Sequence, residues 1–218
     1  MIPAAEVYAA LEAAHGTQSW WPAEGAFEIM AGALLVQRTT WRSAESAVAG
    51  LRQHRFLDPV RLRHADLALV EACIRSAGFF RSKAVRLRKL AQFVVEQGGM
   101  DGLAAKPTHE LRAQLLALEG IGPETADAIL LYAFDRPAVV VDAYLRRLAQ
   151  RLTAAASAPR DTRLREWVEA GIGDARRLSE FHALVVEHGK RTCRPVPLCA
   201  ECAINARCRT GRKATSAQ

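Results

Sequence analysis

The sequence predicts an all-α protein, and three observations carry that reading. Ala, Leu, Arg, Glu and Gln dominate nearly every segment, with apolar residues recurring at three and four. Short Gly, Pro, Asp or Ser punctuation separates those segments. The only strand-like run, Val139-Val140-Val141, is too short and isolated to make a sheet. No repeat with a period of roughly 20–50 residues is present, which excludes a solenoid.

The helices are expected over residues 4–15, 26–36, 41–53, 66–76, 81–97, 108–117, 123–134, 142–153, 161–170 and 176–188. The segment 66–76 stops before Gly78, 81–97 stops at Gly98-Gly99, and 108–117 follows Pro107. Pro123 suits the first turn of 123–134, where its missing N–H costs nothing, and Pro137 closes that segment. Asp142 opens 142–153. The last residues, Lys213 to Gln218, are small and polar and are expected to fray.

A chain of 218 residues suits one large domain or two small ones sharing a core. Half of it is hydrophobic and the net charge is +7, so a globular protein with a polyanionic partner is a reasonable class. Of 30 basic residues 25 are Arg, which suits bidentate phosphate contact; a genomic bias towards Arg explains the ratio equally well. No apolar run approaches the ~20 residues of a membrane span. The N-terminus carries Glu6 and Glu12 and no basic n-region, so it does not read as a signal peptide. Five cysteines, four of them within the last 26 residues, point to a cytosolic protein with a local metal site rather than a secreted disulfide framework.

Gly120-Ile121-Gly122 joins two helical segments. Glycines there permit positive φ and close backbone approach, and the second helix's first amides would form a phosphate cradle, with Thr125 adding a hydroxyl. An ordinary αα-hairpin with a glycine cap fits the same residues. The spacing of Cys193, Cys199, Cys202 and Cys208 is C-x5-C-x2-C-x5-C. Four thiolates in a short loop suit zinc or an iron–sulfur cluster; structural zinc more often shows two C-x2-C knuckles. Cys73, in an apolar helix, reads as a buried core thiol. Asp142, taken alone, reads equally as a helix N-cap.

In order along the chain, these features resemble the helix-hairpin-helix DNA glycosylases of the endonuclease III superfamily. The resemblance rests on Leu118-x-Gly-Ile-Gly-x-x-Thr-Ala-x-x-Ile-Leu with Val141-Asp142 beyond it, and on Ile74 to Ala84. It also rests on Leu35-Val36-Gln37 with the Thr pair after it, and on His188-Gly189-Lys190-x-x-Cys193. Together they span about residues 20–208. The resemblance implies a two-lobed fold: a six-helix barrel over 26–136, with the hairpin at about 111–134, and a cluster domain from 1–25 and 137–218. Double-stranded DNA would lie across the mouth between the lobes.

It further implies a [4Fe–4S] cluster on the four cysteines of loop 193–208, although the first gap has five residues where the family commonly has six. Arg191, Arg194, Arg207 and Arg209 surround that loop, which reads as a basic element folded towards DNA. Gly120, Gly122, Thr125 and Lys190 would hold the DNA backbone. Asp142 would be the active-site carboxylate, stabilising oxocarbenium character on the deoxyribose and orienting the nucleophile.

Two residues after Gly122, bifunctional members carry the lysine whose amine forms a Schiff base. This chain has Glu124 there. The implied enzyme is therefore monofunctional, with water as nucleophile and an intact abasic site as product. The alternatives are a bifunctional pyrimidine-damage glycosylase with lyase activity, using another of the five lysines, or a damaged-DNA-binding homologue weak in catalysis.

Gln37 stands where family members push a side chain into the vacated base stack; read alone it is a polar helix end. Trp20-Trp21-Pro22, then Gln37-x-Thr39-x-Trp41, is similar to the 3-methyladenine glycosylase III branch, in which aromatic faces stack on the flipped base. Trp21 and Trp41 would then attract an alkylated purine through its positive charge. Packing of two tryptophans in a helical core is the alternative. Members of that branch can lack the cluster cysteines, so the chain combines features of two branches. A monomer, cytoplasmic and close to the nucleoid, is expected.

Overall fold

The computed structural model describes residues 1–215, and among these every regular element is a helix. Residues 216–218, the end of the segment expected to fray, lie outside the described residues. The chain divides into two compact units, one formed by residues 21–136 and the other by 1–20 with 137–218.

In the 21–136 unit the order is α2 (Ala26–Leu35), α3 (Trp41–Gln53), α4 (Pro59–Arg63), α5 (Leu67–Cys73), α6 (Phe80–Glu96), α7 (Gly99–Ala104), α8 (Thr108–Leu116) and α9 (Pro123–Phe134). Helix α2 is apolar around most of its circumference, so it is buried rather than half-exposed; Phe27, Met30, Ala31, Leu34 and Leu35 are all core. It packs on α9, whose Ala126, Ile129, Leu130 and Leu131 are buried in turn. Thr40, Asp58 and Asp66 accept bonds from the first amides of α3, α4 and α5 and so fix where these helices begin.

The expected helix 66–76 is broken. α5 ends at Cys73 and a separate 3-10 turn, Arg75–Ala77, follows. α3 crosses this break so closely that a Cβ on Gly50 would stand 2.4 Å from the Cys73 carbonyl oxygen. Cys73 is consequently half-buried, its Sγ 3.3 Å from His54 Nδ1, and not the core thiol its apolar neighbours suggest.

The second unit comprises α1 (Ala4–His15), α10 (Ala143–Thr153), α11 (Asp161–Glu169), α12 (Ala175–Arg191) and α13 (Arg209–Thr215). α1 lies along α12 through Ala4, Val7 and Leu11, and Trp167 Nε1 donates to the Ile2 carbonyl at 2.8 Å. Val139–Val141 form no strand. They are a buried extended lead into α10, and Asp142 ends that lead as the helix cap. α13 takes in Lys213 to Thr215, so this stretch continues a helix instead of fraying.

Candidate functional site

The turn between α8 and α9 is built around one glycine, not two. Gly120 has φ 86°, a left-handed conformation that disfavours any side chain, and a Cβ there would meet the Arg86 side chain at 2.5 Å. Gly122 has φ −89° and caps α9 in extended backbone, with nothing within 4 Å of a Cβ. Its missing side chain is thus explained by neither strain nor protein packing. It leaves the start of α9 open to an approaching group, where helix amides favour an anion. Glu124, exposed in the first turn, already places a carboxylate at this positive end.

Thr125 does not offer its hydroxyl outwards. It is buried, and its Oγ1 accepts from Gln37 Nε2 at 2.9 Å; the same nitrogen donates to the Gly120 carbonyl at 2.9 Å. Gln37 is therefore docked on the turn in the free protein. Below it, Arg112 of α8 grips the buried Asp127 of α9 with two bonds of 2.6 and 3.2 Å, tying the two hairpin helices together. Lys89 of α6 holds Glu119 at 2.6 Å on the other flank, which keeps that carboxyl below its ordinary range. Neither pair was singled out from sequence; only the placement of a lone Asp within apolar α9 hinted at the first.

Trp21 and Trp41 come together. Their rings meet edge-on, with centroids 4.9 Å apart, and Tyr132 lies 5.4 Å from Trp21. Gly32 of α2 admits the indole, since a Cβ there would stand 3.1 Å from it. The two tryptophans line a cavity of about 530 Å³ whose other walls include Glu28, Glu45 and Arg52. Glu28 is buried and takes a bond of 2.5 Å from Arg52. Trp20 is not part of this group, because Lys190 sits over its ring at 5.3 Å, in the other unit.

Phe79 lies within the stretch Ile74 to Ala84, where nothing in the sequence sets it apart. It is 63% exposed and left-handed (φ 48°), preceding α6 and following Gly78, also at positive φ. Arg75 and Arg81 flank the neighbouring Phe80 at 5.2 and 5.4 Å. An exposed aromatic in a strained turn between arginines is a feature that folding alone does not ask for.

In the other unit, Asp142 is 6% exposed. Its Oδ1 caps α10 by accepting from Leu145 N at 2.7 Å, and Oδ2 lies 3.7 Å from His182 Nε2. The cap and the candidate catalytic carboxylate are one group: one oxygen is occupied by the helix and the other is turned elsewhere.

Cys193, Cys199, Cys202 and Cys208 line a single small, mostly apolar cavity with Leu148, His188 and Ile204. Two arginines of α10 shape the loop. Arg147 donates to the carbonyls of Gly189 and Cys193, and Arg151 donates to Cys193 Sγ at 3.2 Å and to the carbonyls of Arg194 and Pro195. Of the arginines expected around the site, Arg191 pairs with Glu187 and Arg207 with Glu6. Burial pushes the Cys202 thiol up to about 11, and Cys199 is raised for the same reason, with the neighbouring cysteines adding to both. Buried His188 is pushed down to about 4. Its Nε2 lies 3.7 Å from Cys202 Sγ, and its Nδ1 3.2 Å from His15 Nε2. Among the described residues no three His, Cys, Asp or Glu side chains converge as ligands of one ion.

The comparisons agree with the turn and the fold. Residues 31–171 match the family described as HhH-GPD superfamily base excision DNA repair protein. A protein of Methanocaldococcus jannaschii, provisionally named a DNA repair glycosylase, is 39% identical over 207 residues, covering 93% of this chain and 94% of its own. Endonuclease III of Sulfolobus acidocaldarius is 30% identical over 185 residues, with 84% and 81% covered. Among solved structures, a non-covalent endonuclease III–DNA complex aligns with a TM-score of 0.79 at 21% identity over 99% of this chain and all of that one. H. pylori 3-methyladenine DNA glycosylase (MagIII) bound to 1,N6-ethenoadenine aligns with a TM-score of 0.77 at 24% identity over 87% and 98%. With well over half its length matched by the family and a full-length relative at this identity, the chain belongs to the HhH-GPD superfamily of base excision DNA repair proteins.

Proposed function

We propose that the protein is a monofunctional DNA N-glycosylase that removes alkylated purines from duplex DNA, acting as a monomer. The observation that carries the reading is Glu124 on the open first turn of α9, where the family's lyases hold their lysine. A carboxylate cannot form an imine. Of the chain's five lysines none lies in the hairpin: Lys83 is buried, Lys89 and Lys106 are bonded to Glu119 and Glu110, Lys190 lies over Trp20, and Lys213 belongs to α13. The bifunctional reading would need an amine from outside the hairpin.

In this scheme Gly122 and the amides of α9 hold a phosphate, and Lys190 holds another. Gln37 and Phe79 enter the duplex as the damaged nucleotide leaves it, at the usual unstacking cost of a few kcal/mol. The base is received against Trp21 and Trp41. The cavity wall carries Glu24, Glu28 and Glu45 against the single cation Arg52, an acidic excess that favours a base carrying positive charge, which also attracts an indole face. Asp142, through the oxygen not used for the helix cap, stabilises the oxocarbenium-like sugar and orients water towards C1′. As the C1′–N bond breaks, its electron pair leaves with the base and neutralises the base's charge. Water oxygen bonds to C1′ and its proton is released, leaving an intact abasic site.

The four cysteines suit a [4Fe–4S] cluster: they share one apolar cavity, Arg151 donates to one sulfur, and burial makes uncompensated thiolates costly. When bound, the group supplies positive iron to neutralise those thiolates and cross-links the loop. Residues 26–136 would then form the family's six-helix barrel, and 1–25 with 137–218 the cluster domain.

The test is a panel of duplexes with single lesions (3-methyladenine, 7-methylguanine, ethenoadenine, thymine glycol), developed with and without alkali and with borohydride. Strand breaks that appear only after alkali, on alkylpurine duplexes, are expected. Efficient borohydride trapping, or cleavage confined to thymine glycol, would reinstate the bifunctional pyrimidine reading.

A further inference from the structure

Lys83 is 2% exposed, and no step of the proposed reaction uses it. Its ammonium donates to three main-chain carbonyls: Leu35 at 2.8 Å, Gln37 at 2.8 Å and Ala77 at 2.9 Å. The first two lie at the end of α2 and in the connection after it; the third closes the 3-10 turn that leads to Gly78 and Phe79. These are the two connections that present Gln37 and Phe79. We propose that Lys83 is a positioning residue that fixes the Gln37 connection in register with the Phe79 connection, so that both side chains meet DNA at a set separation.

Both connections need an external hold. Arg38, directly after Gln37, is left-handed at φ 54°, and Phe79 is left-handed at φ 48°. Non-glycine residues keep that conformation only where the surroundings impose it. The carbonyls at the end of α2 carry the negative end of the helix dipole, which favours a cation there. Burial, with the charge of Arg86 adding to it, pushes the Lys83 pKa down. The arrangement holds main chain and leaves side chains free. Gln37 can exchange its bonds to Gly120 and Thr125 for the vacated stack by side-chain rotation alone, while its carbonyl stays on Lys83. Three donors on one ammonium, facing three carbonyls from two connections, do what no neutral side chain of that length does.

The inference rests on the reading that Gln37 and Phe79 enter the duplex, and the experiment separates the two. A lesion duplex carrying 2-aminopurine beside the damaged base is mixed with the holoprotein. Its fluorescence reports unstacking, single-turnover excision is followed in parallel, and anisotropy gives the affinity for undamaged duplex. Lys83→Met is expected to lower the rate of unstacking and excision by about tenfold or more while undamaged-duplex affinity changes by no more than about twofold. In a Gln37→Ala, Phe79→Ala background the same Lys83 substitution should have no further effect on unstacking.

Should Lys83→Met fail to fold, Lys83→Gln decides. Its amide has two N–H donors against three carbonyls, so at least one connection is released and the fluorescence change should still fall. Wild-type unstacking in a folded Lys83→Met or Lys83→Gln protein, or an equal loss in unstacking and undamaged-duplex binding, overturns the inference. If Gln37→Ala and Phe79→Ala themselves leave the fluorescence unchanged, the reading beneath it falls instead.

Discussion

The glycine turn of one unit and the cysteine loop of the other are both short connections lined by basic residues, and they are held in opposite ways. The turn is closed by the protein alone. Gly120 supplies the bend, Gln37 bonds its carbonyl, Arg112 clamps Asp127 beneath it, and Lys83 anchors the neighbouring backbone. The loop from Cys193 to Cys208 is shaped by two 3-10 turns and the α10 arginines, and it gathers four thiols around one cavity, two of which, Cys199 and Cys202, are pushed up by burial. The first is complete without a ligand. The second would be completed, on the proposed reading, by a group that brings positive charge. If the proposed roles hold, a turn that grips DNA has to be ready before DNA arrives, whereas a loop cross-linked by a cluster needs only to be rigid once that cluster is in place.

The largest effect expected is on the loop. The holoprotein should be brown, with broad visible absorption and about four irons per chain. Cys202→Ala should abolish that absorption and cost on the order of several kcal/mol in the unit that carries it, read by thermal unfolding. Thr125→Val, which removes one of the two acceptors of Gln37 on the turn, should cost only about 1 kcal/mol. A colourless, zinc-loaded protein that melts normally would remove the cluster, and with it the contrast between the two connections.

Next comes Asp142, which shares the loop's unit but not its dependence on a cofactor. Asn caps a helix about as well as Asp, so Asp142→Asn should leave the melting temperature nearly unchanged. It removes the charge at the oxygen that faces His182, and excision should fall by about 10²–10³-fold with DNA affinity retained. Undiminished excision would make Asp142 a cap and nothing more.

How much of this was legible before any coordinates follows the same contrast. Features set by local spacing are legible: the four cysteines that share one cavity, Asp142 as the cap of α10, the left-handed Gly120, and Glu124 in the first turn of α9. The long helices stood out too, because apolar residues repeat over several turns. α4, α7 and α13 did not, being five, six and seven residues long, too short to show a period. Residues that act through a distant partner were illegible. Lys83 reaches carbonyls up to 48 positions away and Arg112 an aspartate 15 positions away, and nothing local marks either as a pair. The sequence does not tell which of two reasons, positive φ or close backbone approach, applies to each glycine: Gly120 is left-handed, whereas Gly122 is extended with open space around it.

A smaller effect is expected at the tryptophans, in the self-sufficient unit. Because Trp21 and Trp41 meet edge to face, only one of them presents its face at that contact. Replacing either with Ala should reduce excision of a cationic alkylpurine by roughly 10–100-fold, the equivalent of about 1–3 kcal/mol of stacking. Phe should be milder, and Trp41 should matter more than Trp21. Thermal unfolding measured beside excision decides between platform and packing. A large fall in melting temperature with normal activity per folded molecule would make the pair core.

The smallest effect tests whether the cysteine-bearing unit is fragile everywhere or only at its loop. Arg146 of α10 makes two bonds, of 3.0 and 2.8 Å, to Asp161 at the start of α11, well away in sequence from the cysteines. The hydrogen bond from Arg146 holds the Asp161 carboxyl below its ordinary range. Both side chains are more than a third exposed, so the pair is worth about 1 kcal/mol at most. For a carboxyl depressed by folding, the contribution is complete above its unfolded pKa of about 4 and is lost as pH falls through the lower folded value. Arg146→Met should therefore lower the melting temperature by no more than about 2–4 °C. That difference should stay constant from pH 8 down to about 5, and shrink in high salt. A difference that fades already between pH 8 and 6 would mean that Arg146 acts through a group other than Asp161. A much larger fall would show that α10 and α11 depend on each other as strongly as the loop depends on its cluster, and the weakness would then belong to the unit, not to the cysteines.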